Sequence, residues 1–351
     1  MMIKIIHGGD VYSEQNARAT DFSANINPLG LPQNVKKAIH TAAKDCNKYP
    51  DPLCRGLRSA LSKYENVPED NIFCSNGASE IIYRIVFAFK PRRVIVTAPA
   101  FSEYAQAARS AGSDVISYRL REENGFKIGA DLAQLVDGAS DIVFICNPHN
   151  PTGVLTDRKT IRQIVEQCKL VGALLVIDEC FMDFVTDGEI SYSAKPLLKE
   201  YDNVIVLKAF TKIFAMPGIR LGYCFSSNLN TIDKLYRCGQ SWSVSAFAQA
   251  AGTAAALENR FVSETREYVD GERDFLKSGL VSRGFIVYQS KANFIFFRAL
   301  GILNLHERLL KKGFLIRSCE NFDGLDGTYY RIAVRTHVEN AALLLAMEES
   351  N

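Results

Sequence analysis

Charge of either sign is missing as a signal: 41 Lys and Arg stand against 39 Asp and Glu, a formal net charge of +2. No basic tract is interleaved with aromatics. Neither nucleic acid nor an anionic membrane surface is therefore expected as a partner. No Cys-x-x-Cys pair occurs. The nine cysteines are odd in number and scattered, several inside apolar runs. That predicts reduced thiols in a cytoplasmic protein, with no disulfide framework and no metal site. Long apolar runs are also lacking. The longest uncharged stretch, Gly239 to Leu257, is rich in Ala, Ser and Gln and reads as a packed helix, not a membrane span. Met1 to His7 holds too few apolar residues for a signal peptide. No internal repeat or low-complexity segment interrupts the chain.

What the chain does have is length and alternation. Its 351 residues suffice for two domains, and 47% hydrophobic with 23% charged residues is ordinary for a globular protein. Short, nearly all-apolar segments at 72–74, 94–96, 142–146, 174–177 and 204–207 read as strands, with helices expected at 53–64, 79–89, 102–111 and 160–170. Such strands imply a mostly parallel sheet covered on both faces. The tail changes character. A helical region at 243–280 leads into strands near 294–297, 315–317 and 329–334, with helices at 303–311 and 338–347. The expected class is α/β: a three-layer large domain of residues 46–245, plus a smaller α+β domain of residues 1–45 with 246–351.

Ligands of an open parallel sheet bind beyond the carboxyl ends of its strands. Polar residues stand at those ends here. Gly77, Ala78 and Ser79 form a small-residue turn before a helix, where backbone N–H groups can close on an anion. Phe101 follows a second strand and can stack on a flat ring. Asn150 sits in a Pro-flanked loop at a third. Asp178 closes a fourth and needs a partner after four apolar residues. Thr211, Lys212 and Arg220 follow the fifth, and the Pro217-Gly218 break places Lys212 on a loop. A cation beside an amine favours its neutral, nucleophilic form. Each residue alone has an ordinary reading as a surface lysine, a plain turn, a core aromatic or a helix cap. One ligand engages them all: a phosphorylated pyridine aldehyde, pyridoxal 5′-phosphate.

The chain resembles fold-type-I pyridoxal-phosphate enzymes of the aspartate aminotransferase superfamily. Asn150-Pro151-Thr152-Gly153, Asp178-Glu179 and Thr211-Lys212 followed by Gly218-Ile219-Arg220-Leu221-Gly222 carry the resemblance, which spans essentially the whole chain. It implies catalytic roles for Lys212, covalently joined to the cofactor, and Asp178, on its ring nitrogen. It implies Asn150 on the ring hydroxyl, Gly77, Ala78, Ser79, Thr211 and Arg220 at the phosphate, and Phe101 on the ring. Tyr49 would reach the cofactor of a partner subunit, implying a homodimer. Arg331 matches the arginine that clamps the substrate carboxylate. Ala209 and Phe181 depart from the usual Ser or Thr and Tyr.

Two subgroups fit. Tyr49-Pro50-Asp51-Pro52 and Asn27-Pro28-Leu29-Gly30 are shared with histidinol-phosphate aminotransferases. His7-Gly8-Gly9-Asp10, the run Asp21 to Gly30, Phe181 and the arginines Arg317 and Arg335 beyond Arg331 look more like threonine-phosphate decarboxylases of cobamide biosynthesis. Substrate contacts are accordingly expected from His7, Gly8, Asn27, Arg317, Arg331 and Arg335. The expected substrate is a small phosphorylated amino acid, L-threonine O-3-phosphate or L-serine O-phosphate, with histidinol phosphate and transamination as the alternative.

Overall fold

The computed structural model describes residues 7–348. A short strand, β1 (Thr20–Asp21), precedes seven strands of one large sheet. These are β2 (Ile72–Ser75), β3 (Arg93–Ala98), β4 (Asp114–Arg119), β5 (Ile142–Cys146), β6 (Leu174–Asp178), β7 (Val204–Ala209) and β8 (Gly222–Phe225). Their order across the sheet is β2-β8-β7-β6-β5-β3-β4. The β3–β4, β3–β5, β5–β6 and β6–β7 pairs are parallel, while β8 runs antiparallel to β2 and β7.

Alternation along a strand sends neighbours to opposite faces, and both faces here are covered. Val204 and Val206 enter one apolar cluster, with Ile161 and Ile164 of helix Arg158–Val171 and Leu57 and Leu61 of helix Arg55–Glu65. Ile205 and Leu207 enter the other, with Ile81 and Ile85 of helix Ala78–Phe89 and Ala107 of helix Ser102–Ser110. That is why the central strands read as unbroken apolar runs.

A second, antiparallel sheet has the order β12-β13-β10-β9, made from β9 (Ile286–Val287), β10 (Phe294–Arg298), β12 (Arg317–Ser318) and β13 (Tyr329–Ala333). β1 pairs in parallel with β11 (Phe314–Leu315), which ties the N-terminal segment to the C-terminal one. The helix Gln33–Ala42 lies against the helix Ala246–Ala255.

The structure corrects two expectations. The helical region at 243–280 is two helices, Ala246–Ala255 and Asn259–Val281, because Glu258 leaves helical geometry at φ −92°, ψ 44°. No Gly or Pro announces that break. Strand β8 was unforeseen: it is four residues long, opens on a glycine, and follows directly on a turn. All nine cysteines are free. Among the described residues no helix is long and apolar enough to cross a membrane, and no cluster of metal-ligating side chains occurs.

Candidate active site

The exits of β3, β5, β6 and β7 and the start of helix Ala78–Phe89 converge on a cavity of about 460 Å³. Lys212 lines it from a single helical turn, Phe210–Ile213, rather than from an open loop. Its chain is half-buried. Burial, then the positive charges of Arg331 and Arg220, push the amine down to about 8. Behind it Lys208, on β7, is buried against Asp183 at 2.6 Å and Glu65 at 3.4 Å. That buried network joins β7 to the segment that follows β6.

Asp178, the last residue of β6, is 6% exposed and lines the same cavity. Both its oxygens are held: Oδ1 accepts from the Cys180 N–H at 2.9 Å, and Oδ2 from the Tyr104 hydroxyl at 2.7 Å.

An anion seat lies at the start of helix Ala78–Phe89. Its N-cap, Gly77, has φ +87° and caps nothing with a side chain, so the first N–H groups stay open. A Cβ on Gly77 would stand 2.6 Å from Nη2 of Arg220, so only glycine lets that guanidinium close over the turn. Gly222 makes the matching approach from β8, where a Cβ would meet the Ala78 nitrogen at 2.3 Å. Ala78, Ser79, Ala209, Thr211 and Arg220 line the cavity here. The seat thus gathers backbone donors, two hydroxyls and one guanidinium.

The far wall comes from distant segments. Arg331, on β13, is buried; it donates through Nη1 to Asn150 Oδ1 and through Nη2 to the Ser23 carbonyl at 3.0 Å. Burial pushes its guanidinium down to about 10, so it stays charged at neutral pH. Arg317 lies over the Phe322 ring at 5.2 Å and bonds Asn321 Oδ1 at 2.6 Å. His7 tilts on Phe101 with ring centres 5.6 Å apart, and its Nε2 is 2.9 Å from Glu103. A Cβ on Gly8 would meet the Ser23 carbonyl at 2.3 Å, so the glycine lets this segment lie flat on the Ser23 turn.

Two expected positions fall elsewhere. Asn27 does not line the cavity: its amide donates to the Ile213 carbonyl at 2.6 Å and to Thr265 at 2.9 Å, bracing the Lys212 turn from behind. Asn25, two residues earlier, lines the cavity instead, and its buried Oδ1 has no hydrogen-bond partner. Arg335 also misses the cavity; it bonds the Asp21 carbonyl at 2.9 Å and Glu339 at 2.6 Å. Tyr49 is 80% exposed and stacks on Trp242 at 4.7 Å, outside its own chain's cavity. Tyr104 was not foreseen at all. Its signal was faint: an aromatic three residues into a helix that begins just after Phe101.

The family model for aminotransferase class I and II matches residues 17–347. The chain belongs to that family. Its members work with pyridoxal 5′-phosphate. The threonine-phosphate decarboxylase of Salmonella typhimurium is 34% identical over 97% of this chain and 95% of its own length. The structure of a histidinol-phosphate aminotransferase from Clostridium acetobutylicum matches with a TM-score of 0.88 at 30% identity, over 93% of this chain and 98% of that one. That of L-threonine-O-3-phosphate decarboxylase from Porphyromonas gingivalis matches at 0.82 and 25% identity, over 93% and 98%. The residues present fit the family's cofactor: an amine with a depressed pKa, a doubly held carboxylate and an open anion seat share one cavity.

Proposed function

We propose that the chain is a pyridoxal-phosphate-dependent decarboxylase of L-threonine O-3-phosphate, or of its near analogue L-serine O-phosphate. It would release carbon dioxide and an amino-alcohol phosphate for cobamide synthesis. The observation that carries this reading is the gathering of His7, Arg317 and Arg331 on the cavity that also holds Lys212 and Asp178. A substrate with a carboxylate and a phosphate calls for several cations.

When bound, the cofactor supplies a conjugated ring that takes up the electron pair released when a bond at Cα breaks. Lys212 Nζ would attach it. Asp178 would keep a proton on its ring nitrogen, Asn150 would meet its ring hydroxyl and Phe101 would lie against its ring. Ala78, Ser79, Thr211 and Arg220 would take its phosphate, with Gly77 giving Arg220 room. Arg331 would hold the substrate carboxylate, and Arg317, His7 and the Nδ2 amide of Asn25 the substrate phosphate. Holding both ends would set the rotation about Cα, so that the bond to the carboxylate is the one placed to break. Lys212 Nζ, or water, then returns a proton to Cα.

The family resemblance also supports a homodimer in which Tyr49 reaches the partner's cofactor phosphate. An 80% exposed tyrosine outside its own cavity is in keeping with that. The free cysteines suit a cytoplasmic setting. In this reading residues 46–245 form the cofactor-binding domain and 1–45 with 246–351 the smaller one. The likeness to histidinol-phosphate aminotransferases keeps transamination with 2-oxoglutarate as the second reading.

Parallel incubations separate the two. Carbon dioxide from L-threonine O-3-phosphate is the expected result; glutamate from histidinol phosphate with 2-oxoglutarate would replace it with the second reading. Borohydride reduction and peptide mapping must place the cofactor on Lys212. An unmodified Lys212 overturns both.

A further inference from the structure

Tyr104 is 1% exposed, and its ring packs on two aromatic neighbours. It stacks on Phe144 at 5.2 Å with 12° between planes and meets Phe101 edge-on at 5.7 Å. A buried phenol needs a partner for its O–H, and Tyr104 finds Asp178 Oδ2 at 2.7 Å. The Cys180 N–H holds the other oxygen. With both oxygens bonded the carboxylate cannot turn about its Cβ–Cγ axis without losing a hydrogen bond. Burial and the neighbouring Asp178 charge hold the phenol well above its ordinary pKa, so it remains a donor throughout the working range.

We propose that Tyr104 is the positioning residue for Asp178: its hydroxyl fixes the plane in which that carboxylate meets the cofactor's ring nitrogen, and so sets how tightly the cofactor is kept. The proposal rests on the assignment of Asp178 to that nitrogen. Tyr104 reaches the cofactor through Asp178 and takes no part in the bond changes at Cα. The same ring contacts tie it to Phe101, so one side chain links two groups that face the cofactor.

The competing view is that Tyr104 only fills space, which a phenylalanine would do as well. Titration of the apoenzyme with pyridoxal 5′-phosphate, followed by absorbance, decides between them. Hydrogen bonds to charged groups are strong enough that Tyr104→Phe should raise the cofactor Kd roughly ten- to hundredfold. In an Asp178→Ala background the same change should move Kd less than about twofold, because the hydroxyl has lost its target. Melting of each apoprotein checks that the ring still packs. A Tyr104→Phe affinity equal to wild type overturns the proposal. So does an equal loss in both backgrounds, which would mean ring packing alone. A wild-type chain that takes up no cofactor defeats instead the functional reading beneath it, and shows this before any variant is made.

Discussion

One cavity has two walls of different origin. The wall of strand exits, carrying Asn150, Asp178, Lys212 and Arg220, is built from residues that each stand at the end of an apolar strand or in the turn that follows one. The other wall joins His7, Asn25, Arg317 and Arg331 across some three hundred residues of chain; the pairing of β1 with β11 and of β12 with β13, with the bond from Arg331 to the Ser23 carbonyl, helps bring them together. The first wall is a property of local pattern. The second is a property of the assembled fold.

The largest effect that sharpens the contrast concerns the two arginines near the end of the chain. Arg331 is buried with two carbonyl-type acceptors. Arg331→Ala should lower kcat/KM on the phosphoamino acid by on the order of a hundredfold or more, since it removes a charge that no solvent replaces. Arg335→Ala should leave kcat/KM within about threefold. It should cost about 1 kcal/mol of stability, discounted for partial exposure, as the Asp21 and Glu339 contacts are lost. Steady-state kinetics and thermal melting of both variants check this, and equal kinetic losses would erase the distinction between the walls.

A smaller effect separates Asn25 from Asn27. Asn25→Ala should raise KM about tenfold with an unchanged melting temperature. Asn27→Ala should cost about 1–3 kcal/mol of stability, because the buried Ile213 carbonyl loses its donor. If Asn27→Ala instead changes KM alone, the brace behind Lys212 is misassigned.

The smallest effect is on pH dependence. A lysine amine ordinarily titrates near 10.5, and this one near 8. The neutral amine is the form that attacks an aldehyde. Cofactor uptake by the apoprotein should therefore rise with pH through about 8 and level off above it. At pH 7 about a tenth of the amine is already neutral, against about one in three thousand at the ordinary value. The folded state sheds this proton first, so the same shift adds stability as pH rises from about 8 to 10.5 and none below. Stopped-flow uptake rates across pH 6–10 test the sign; a rise continuing towards 10.5 would show an unperturbed lysine.

The uneven legibility has a physical cause. An apolar run that ends in Asp178 or opens towards Lys212 declares both a buried strand and the polar end that must face something. The segment 21–27 offers no such period. Asp21, Ser23, Asn25 and Asn27 are all turn formers, and which amide faces inward is decided by packing against Ile213 and Thr265, hundreds of residues away. Arg331 obeys the alternation of β13, but Arg335 lies past its last residue, where alternation no longer points anywhere. The break before Asn259 and the strand Gly222–Phe225 escaped notice for the same reason, since each is fixed by its neighbours and not by its own composition.

The close approach at Gly222 reaches further than its own strand. Strand β8, the one strand of the large sheet that runs against its neighbours, brings bare backbone up to the start of the helix at Ala78. A single methyl there would prise the two apart. The shape of the turn at Gly77 and closure of the sheet's margin are thus one mechanical fit, and neither can be loosened while the other is kept.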